Sequence, residues 1–452
     1  MRTRTARRGL ALLLFLAGWL GLGVLAAAPA SAHVEIISST PRDGTRLGAS
    51  PAQVSVVLSE NVGIQPGSIH VVDQRGNRVD DGPVFQPGAV AEELAVRLKP
   101  NLPEASYLVE YAFVSADSHP VRGTFAFVVG AGPLVTSAGA VSAATGTDTL
   151  VDVLFTVFRW VSFAGVVLLG GLLFVLTCRP AGRTDPRVRQ VLRCGWMLTA
   201  VTAVAGFLLQ GPYVAGRGVS AVFDPEMLAS TLRVAYGKLL LLRLAAAGAL
   251  AWLVPRLVVP RGALPERLRS RYENLAIVAG FVVLLTFSAS GHAVTDPIMF
   301  FSITADLAHF GAIAVWAGGL VQLALCLRRP ADGEDAGAVV ARFSRTAATS
   351  VVVVVLSGAY LGVRTVPSLS ALWSTTYGVI LLLKLAGFAG LLALASVARR
   401  AILHGVAGQG GGGTGVRTVQ LRRLRLAVGA EVVLATAVLG LAAMLSSMSP
   451  AG

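Results

Sequence analysis

The sequence predicts an all-β domain followed by an all-α, polytopic membrane domain. Three observations lead to this prediction. Hydrophobic residues make up 54% of the 452 residues and charged residues only 14%, whereas a typical soluble protein has about 45–50% and about 25%. Short β-branched runs occupy the first part of the chain, and long apolar stretches occupy the rest. This composition excludes a disordered chain and a purely soluble enzyme.

Residues 1–32 have the pattern of a secretory signal peptide. Arginines crowd the first eight residues, an apolar run follows from Leu10 to Leu25, and Ala30-Ser31-Ala32 has the A-x-A form of a cleavage site. Cleavage there makes His33 the N-terminus of the mature chain.

Residues 33–130 are predicted to form one exported β domain. Its β-branched runs are separated by turn residues, a spacing typical of a sandwich or a barrel. The domain contains no cysteine, so we expect its core and not disulfides to hold it. Residues 131–148 are mostly small and uncharged and are predicted to be a flexible linker. The predicted strands are Val54–Leu58, Ser68–Val72, Glu93–Leu98, Ser106–Val114 and Gly123–Val129.

Residues 149–448 are predicted to form a membrane domain of about eight transmembrane helices. Each apolar stretch is close to the ~20 residues that span a bilayer. The stretches are roughly 150–177, 194–213, 232–254, 275–292, 304–326, 346–363, 375–397 and 426–447.

Arginine placement orients these helices. If the β domain is exported, the loops after the odd-numbered stretches are cytoplasmic, and these are the arginine-rich ones, as the positive-inside rule requires. The opposite loops hold Arg217 and Arg364. The net charge of +14 is therefore a sign of orientation and not of nucleic-acid binding, and the C-terminus is predicted to lie outside. The arginines of the predicted cytoplasmic loops are Arg179, Arg183, Arg187, Arg189, Arg193, Arg256, Arg261, Arg267, Arg269, Arg271, Arg328, Arg329, Arg342, Arg345, Arg399, Arg400, Arg417, Arg422, Arg423 and Arg425.

A Cu(II) site can be assembled at the mature N-terminus. A terminal His33 offers its α-amine and its imidazole, and such nitrogen ligands suit Cu(II). Asp117 and His119 are two residues apart, so in an extended segment they point to the same face and add a carboxylate and a second imidazole. Glu60 is a possible supporting or weak ligand. From the residues alone, a solvated turn at Asp117–His119 is the alternative.

Four motifs of this domain resemble CopC-type copper-binding proteins. They are residues 33–35 (His-Val-Glu), 39–44 (Ser-Thr-Pro-Arg-Asp-Gly), 58–60 (Leu-Ser-Glu) and 114–123, which contains Asp-Ser-His-Pro. The resemblance implies a Greek-key, immunoglobulin-like sandwich that binds Cu(II) through His33, Asp117 and His119. No methionine occurs between residues 33 and 130, so a thioether Cu(I) site is not expected there.

In the membrane half, His292 and His309 are predicted at the outer ends of the fourth and fifth stretches. Ionisable groups in a membrane are functional candidates, and two imidazoles on adjacent helices could take a cation from outside. The alternative is a pair of histidines satisfied by helix carbonyls or water. Lys384 and Glu431 could pair between the last two stretches. Cys178, Cys194 and Cys326 fall at the predicted cytoplasmic boundary, where thiolates could receive Cu(I).

Residues 306–320, within the fifth stretch, resemble the CopD family of copper-resistance membrane proteins. Supporting matches are residues 343–345 (Phe-Ser-Arg) and 376–378 (Thr-Tyr-Gly) with Lys384-Leu385. The resemblance implies copper movement across the cytoplasmic membrane, usually inward. It makes His292 and His309 candidates for a membrane copper relay.

The leading hypothesis is a membrane protein, not an enzyme, that captures Cu(II) outside and moves copper across the bilayer, with Cu(I) a possible form inside it. Its partners are copper ions and lipid, and the sequence carries no signal for an oligomeric state. One alternative is a haem or redox protein that uses His292 and His309 as axial ligands. Others are an oxygen-activating copper enzyme, which Asp117 disfavours by occupying coordination space, and a copper sensor or chaperone without transport.

Overall fold

The structure, a computed structural model, describes most of the chain. The described residues are 36–59, 68–88, 92–114, 120–135, 149–215, 217–259, 263–294, 296, 298–328, 336–366, 368–407, 414–446 and 448.

The β domain is a sandwich of two four-stranded sheets. One sheet has the order β1-β3-β6-β5 and the other has the order β2-β8-β7-β4. All pairs are antiparallel except β2 with β8. This is the immunoglobulin-like Greek-key arrangement, so the predicted fold class is confirmed. The strands are β1 (Ile36–Thr40), β2 (Arg46–Leu47), β3 (Gln53–Leu58), β4 (Ile69–Val72), β5 (Asp80–Phe85), β6 (Glu93–Leu98), β7 (Ala105–Val114) and β8 (Pro120–Val129).

Alternation of side chains builds the core of the sandwich. Residues two apart in a strand point to the same face, so Val54, Val56 and Leu58 of β3 share the core with Leu94 and Val96 of β6. At the start of β7, the Tyr107 hydroxyl donates a hydrogen bond of 2.8 Å to the carbonyl of Pro103. That contact is the tyrosine corner of immunoglobulin-like domains. The core includes Val54, Val56, Leu58, Leu94, Val96, Leu98, Tyr107, Val109, Phe113, Phe125, Phe127 and Val129.

Three strands were not predicted from the sequence: β1, β2 and β5. β5 contains Gly82 and Pro83, which argue against a central strand. β5 is an edge strand, where a proline leaves no ladder hydrogen bond broken. β1 is also an edge strand and β2 has two residues, so neither shows a buried run.

Eight described helices are long and apolar enough to cross a membrane, which confirms the predicted number. The short α3 and α8 are the exceptions among the ten helices. The helices are α1 (Thr149–Thr177), α2 (Pro186–Ala215), α3 (Pro225–Arg233), α4 (Ala235–Leu257), α5 (Glu266–Ser288), α6 (Met299–Arg328), α7 (Ala336–Thr365), α8 (Ala371–Ser374), α9 (Thr376–Ala407) and α10 (Thr414–Leu445).

Several helices begin earlier than their apolar stretches. α2 begins at Pro186 and α5 at Glu266, eight and nine residues before the predicted starts, because arginine-rich sequence continues the helical hydrogen bonding beyond the apolar part. Many arginines predicted in loops therefore lie on helical extensions. α5 also ends at Ser288, so His292 lies beyond it in a short 3-10 turn, residues 292–294, and not within the fourth span.

Glycines bring α1 and α6 into backbone contact. A Cβ at Gly170 would overlap the Ala314 carbonyl of α6, and a Cβ at Gly318 would overlap the Val167 carbonyl of α1. Small residues allow such close helix contact, and Gly318 and Ala314 have this role on α6. Gly311 does not, because its nearest neighbour is Leu284 at an ordinary 3.5 Å.

The α1–α6 contact predicts a sharp difference between two glycine-to-alanine changes. Gly170→Ala should lower the free energy of unfolding on the order of 1–3 kcal/mol, because the helices must separate. The matched change Gly280→Ala on α5 meets open space and should leave stability unchanged or raise it by about 0.5–1 kcal/mol. Thermal melts of the purified full chain in detergent, followed by size exclusion, measure both. Equal melting temperatures would contradict the contact.

Candidate metal site

The strands that lead to the predicted Cu(II) ligands end at one end of the sandwich. Ile36 pairs with Leu58, so the start of β1 and the end of β3 lie side by side. Ser68 accepts a hydrogen bond from the Ala112 N–H near the end of β7, and Val114 pairs with Pro120 across the β7–β8 connection. The segments that carry the predicted ligands thus leave from neighbouring strand ends. The ligands themselves, His33, Glu60, Asp117 and His119, lie outside the described residues, and their roles stay predictions.

The same end of the sandwich contacts the membrane domain. Arg122, near the start of β8, donates a hydrogen bond to the carbonyl of Tyr213, and its guanidinium carbon lies 5.7 Å from the centre of the Tyr213 ring. Tyr213 belongs to the last turns of α2, and its ring stacks on Phe155 of α1 at 4.2 Å. The β7–β8 end therefore lies against the ends of α1 and α2.

In the membrane domain, His309 faces α7. Its Nδ1 is 3.0 Å from the hydroxyl oxygen of Ser357. Gly358 lies beside the ring, where a Cβ would be 3.0 Å from Cε1 of His309. Within the described residues, no three His, Cys, Asp or Glu side chains form a group that could hold a metal ion. In the described part of the membrane domain, the His309 imidazole therefore has a serine neighbour but no group of metal ligands around it.

A line of polar contacts joins α6 to α7 from His309 to the helix end. Ser302 is 3.2 Å from the Tyr360 hydroxyl, and beyond it Asp296 makes two hydrogen bonds with Arg364, at 2.7 and 2.8 Å. The two side chains of this pair are only 7% and 5% exposed. Asp296 belongs to the same connection as His292, so the ion pair fixes that connection to α7.

Two effects oppose each other at Asp296. Burial by itself raises the pKa of the carboxyl group, but hydrogen bonds from Arg364, the Ile298 N–H and Ser302 outweigh it and hold the pKa below its ordinary value. The carboxylate is therefore charged in the fold.

The side chain of His292 is not among those that the structure describes. His292 lies in the connection between α5 and α6. His309 lies ten residues after the start of α6, and ten residues of helix are about 15 Å long. The predicted cooperation of His292 with His309 stays a prediction.

The expected pairing of Lys384 with Glu431 is wrong. The charge that acts on Lys384 is that of Asp306 on α6, and no ion pair joins Lys384 to Glu431 in the described structure. Gly387 of α9 faces Val438 of α10. Since the two helices run antiparallel, Lys384 and Glu431 diverge from that level in opposite directions and lie roughly 15 Å apart in depth.

The thiols differ in their surroundings. Cys178 and Cys326 are buried and Cys194 is exposed, and none of the three forms a disulfide. The sulfur of Cys178 lies 3.9 Å from the Thr346 hydroxyl. Among the described residues, none of these thiols belongs to a group of three His, Cys, Asp or Glu side chains that could hold a metal ion, and a copper role for the thiols stays a prediction.

Sequence reasoning missed Ser357, Tyr360 and Arg122. A signal for the first two exists, since Ser350, Ser357 and Arg364 recur every seven residues and therefore share one face of α7. Ser302, Asp306 and His309 are four and three residues apart and therefore share a face of α6. Arg122 belongs to the motif around His119, but its contact with Tyr213 joins parts of the chain that are far apart in sequence.

These features define a class of protein, namely a multi-pass membrane protein that carries an immunoglobulin-like β-sandwich before its first span. Residues 36–130 match the CopC domain family, residues 150–300 match the N-terminal domain of copper resistance protein D-like proteins, and residues 337–445 match copper resistance protein D.

Three curated relatives extend these matches. The chain is 28% identical to "Copper transport protein CutJ" of Bacillus subtilis (strain 168) over 383 residues, which are 81% of this chain and 67% of that protein. It is 30% identical to "Copper resistance protein D" of Pseudomonas syringae pv. tomato over 66% of this chain and 97% of that protein. It is 30% identical to "Copper resistance protein C" of the same organism over 24% of this chain and 88% of that protein. The chain belongs to the copper-resistance family that combines CopC and CopD parts. These names denote resistance and transport, not catalysis.

The Asp296–Arg364 pair predicts a pH-dependent contribution to stability. Asp296→Asn leaves Arg364 buried without its counter-charge and should destabilise the full chain by on the order of 3–5 kcal/mol at pH 7. Because the folded-state pKa of Asp296 lies below the unfolded value of about 3.9, the carboxylate stabilises the fold above that value. This contribution is lost as the pH falls through the folded-state pKa. Melting temperatures of variant and wild type should therefore converge only in strong acid.

The control for this comparison is Asp224→Asn. Asp224 pairs with Arg217, but the two side chains are 31% and 54% exposed, and such pairs contribute about 0–1 kcal/mol. A similar loss in both variants at pH 7 would contradict a special role for the buried pair.

Proposed function

We propose that this protein captures Cu(II) outside the cytoplasm and moves copper across the cytoplasmic membrane toward the cytoplasm. Residues 1–32 are its signal peptide, residues 33–130 its capture domain, residues 131–148 its linker and residues 149–448 its membrane domain. The capture ligands are His33, Asp117 and His119, with Glu60 in support, and the membrane relay is His292 and His309. The C-terminus lies outside.

The observation that carries this proposal is the contact between Arg122 and Tyr213. It sets the end of the sandwich from which the segment of Asp117 and His119 departs against the ends of α1 and α2. α1 in turn packs on α6, the helix of His309. A captured ion therefore begins near the membrane domain. The names of the relatives, copper transport and copper resistance, support copper as the transported substrate.

The charge pattern of the structure supports the proposed sidedness. The two arginines that the sequence places on the outer side, Arg217 and Arg364, each pair with an aspartate. Their charges are thereby balanced locally, which leaves the excess of cationic residues on the proposed cytoplasmic side.

Copper accumulation in cells that produce the full chain tests the proposal. His33→Ala and His309→Ala should each lower cell-associated copper about tenfold or more, because each removes a metal-binding nitrogen. His70→Gln and His404→Gln remove histidines outside the proposed path and serve as controls. Elemental analysis of washed cells measures the result. Wild-type uptake by the His309 variant would exclude the membrane step, and wild-type uptake by the His33 variant would exclude the capture step.

Arg122→Ala should separate capture from delivery. Loss of a hydrogen bond from a charged group costs about 1.5 kcal/mol, which is about tenfold in the docked population. We expect uptake to fall by about that factor, while Cu(II) titration of the purified full chain gives wild-type affinity. Arg97→Ala is the control, because Arg97 contacts Phe85 within the sandwich. If the Arg122 variant binds Cu(II) more weakly and its uptake falls by the same factor, the loss of uptake is a loss of capture. That result would contradict a docking role for Arg122.

A further inference from the structure

The hydroxyl of Ser357 lies between two hydrogen-bonding groups. Its oxygen is 2.5 Å from the Val353 carbonyl oxygen and 3.0 Å from Nδ1 of His309. A carbonyl only accepts hydrogen bonds, and two oxygens this close require a proton between them. The single hydroxyl proton is therefore donated to Val353. The Ser357 oxygen is left as an acceptor, so Nδ1 of His309 carries the proton of the second bond.

A neutral imidazole has one protonated nitrogen and one free lone pair. With the proton on Nδ1, the lone pair of His309 is on Nε2. Histidines that bind metals commonly donate their other ring N–H to a fixed acceptor, which selects the tautomer and orients the ring.

Gly358 provides a second, independent observation. A Cβ at this position would be 3.0 Å from Cε1 of His309 and 3.4 Å from Nδ1, which is closer than such contacts normally allow. α7 thus approaches the edge of the ring at a residue without a side chain. Gly362, one turn further along α7, faces open space.

We infer that Ser357 is a positioning residue for copper: it holds His309 with Nδ1 protonated and presents the Nε2 lone pair to the ion, while Gly358 gives the ring its place. The inference rests on the proposed function, because it assigns a task to the histidine of the membrane step. The charges that act around this imidazole are those of Lys384 and, on Lys384, of Asp306. Asp306 and His309 lie on α6 and Lys384 lies on α9, so the charged groups around the imidazole come from two helices.

Two readouts on the full chain in lipid nanodiscs test the inference. Histidine labelled with carbon-13 and nitrogen-15 reports by magnetic resonance which ring nitrogen is protonated, and the signals of His309 are those absent from His309→Ala. Competition with bicinchoninate, under ascorbate, measures Cu(I) affinity. In the wild type we expect the proton on Nδ1. Ser357→Ala should move part of it to Nε2 and weaken Cu(I) binding about tenfold, whereas Ser357→Thr, which keeps the hydroxyl, should restore both. Ser350→Ala, another buried serine of α7, is the control.

The glycine gives the second variant. Gly358→Ala should weaken Cu(I) binding while leaving the proton on Nδ1, and Gly362→Ala should change neither. If Ser357→Ala keeps the wild-type tautomer and affinity while His309→Ala loses affinity, the inference is overturned and the membrane step stands. If His309→Ala itself binds Cu(I) as the wild type does, the membrane step of the proposed function fails, and the inference fails with it.

Discussion

The close contact of α1 with α6 is the constraint on which the membrane domain depends. Lipid tails are as apolar as leucine, so helices in a bilayer associate through packing and polar contacts and not through the hydrophobic effect. Gly170 and Gly318 let the two backbones touch. Gly318 and His309 are nine residues apart on α6, which is two and a half turns, so they lie on opposite faces of the helix. Because the face of α6 with Gly318 packs on α1, the opposite face, with His309, contacts α7.

The α6–α7 interface shows how the chain accommodates polar groups in a medium of low dielectric constant. Unpaired polar groups are costly there, and at this interface polar side chains are paired with one another. The pairs are Ser357 with His309, Ser302 with Tyr360, and Asp296 with Arg364. The pairs also fix geometry. An imidazole whose ring is held on one side offers its other side in a defined direction, which is what a transient metal ligand requires.

Regular periodicities explain what could be predicted from the sequence. Short β-branched runs separated by turn residues indicated the sandwich, and apolar stretches of membrane length indicated the eight spans. β5 was not predicted because Gly82 and Pro83 argue against a strand unless it lies at the edge of a sheet. The order of strands in a sheet, and therefore which strand is at the edge, cannot be read from the sequence. The pairing of Lys384 with Glu431 failed because it depends on the depth register of two antiparallel helices, which composition does not contain. Ser357 was missed for a related reason, since its partner is chosen by the rotation of α6 and α7 about their axes.

The candidate site divides along the same line. The proposed Cu(II) ligands of the sandwich are visible as a motif, and the strand register adds that the segments carrying them leave from one end. His309 was visible as an ionisable residue in a span, but its orientation required tertiary contacts. For His309, the packing of α6 against α7 decides the direction in which the imidazole faces.

The Arg122–Tyr213 contact has a consequence for the kinetics of the family. Copper resistance proteins C and D of Pseudomonas syringae are separate proteins that match different parts of this chain. Two parts on separate chains can meet only by diffusion, so any encounter between them is second order and depends on the abundance of each. A single chain fixes the stoichiometry of the two parts at one to one, and their contact becomes a first-order event. Its rate is independent of protein abundance, so dilution of the protein in the membrane does not uncouple the two halves.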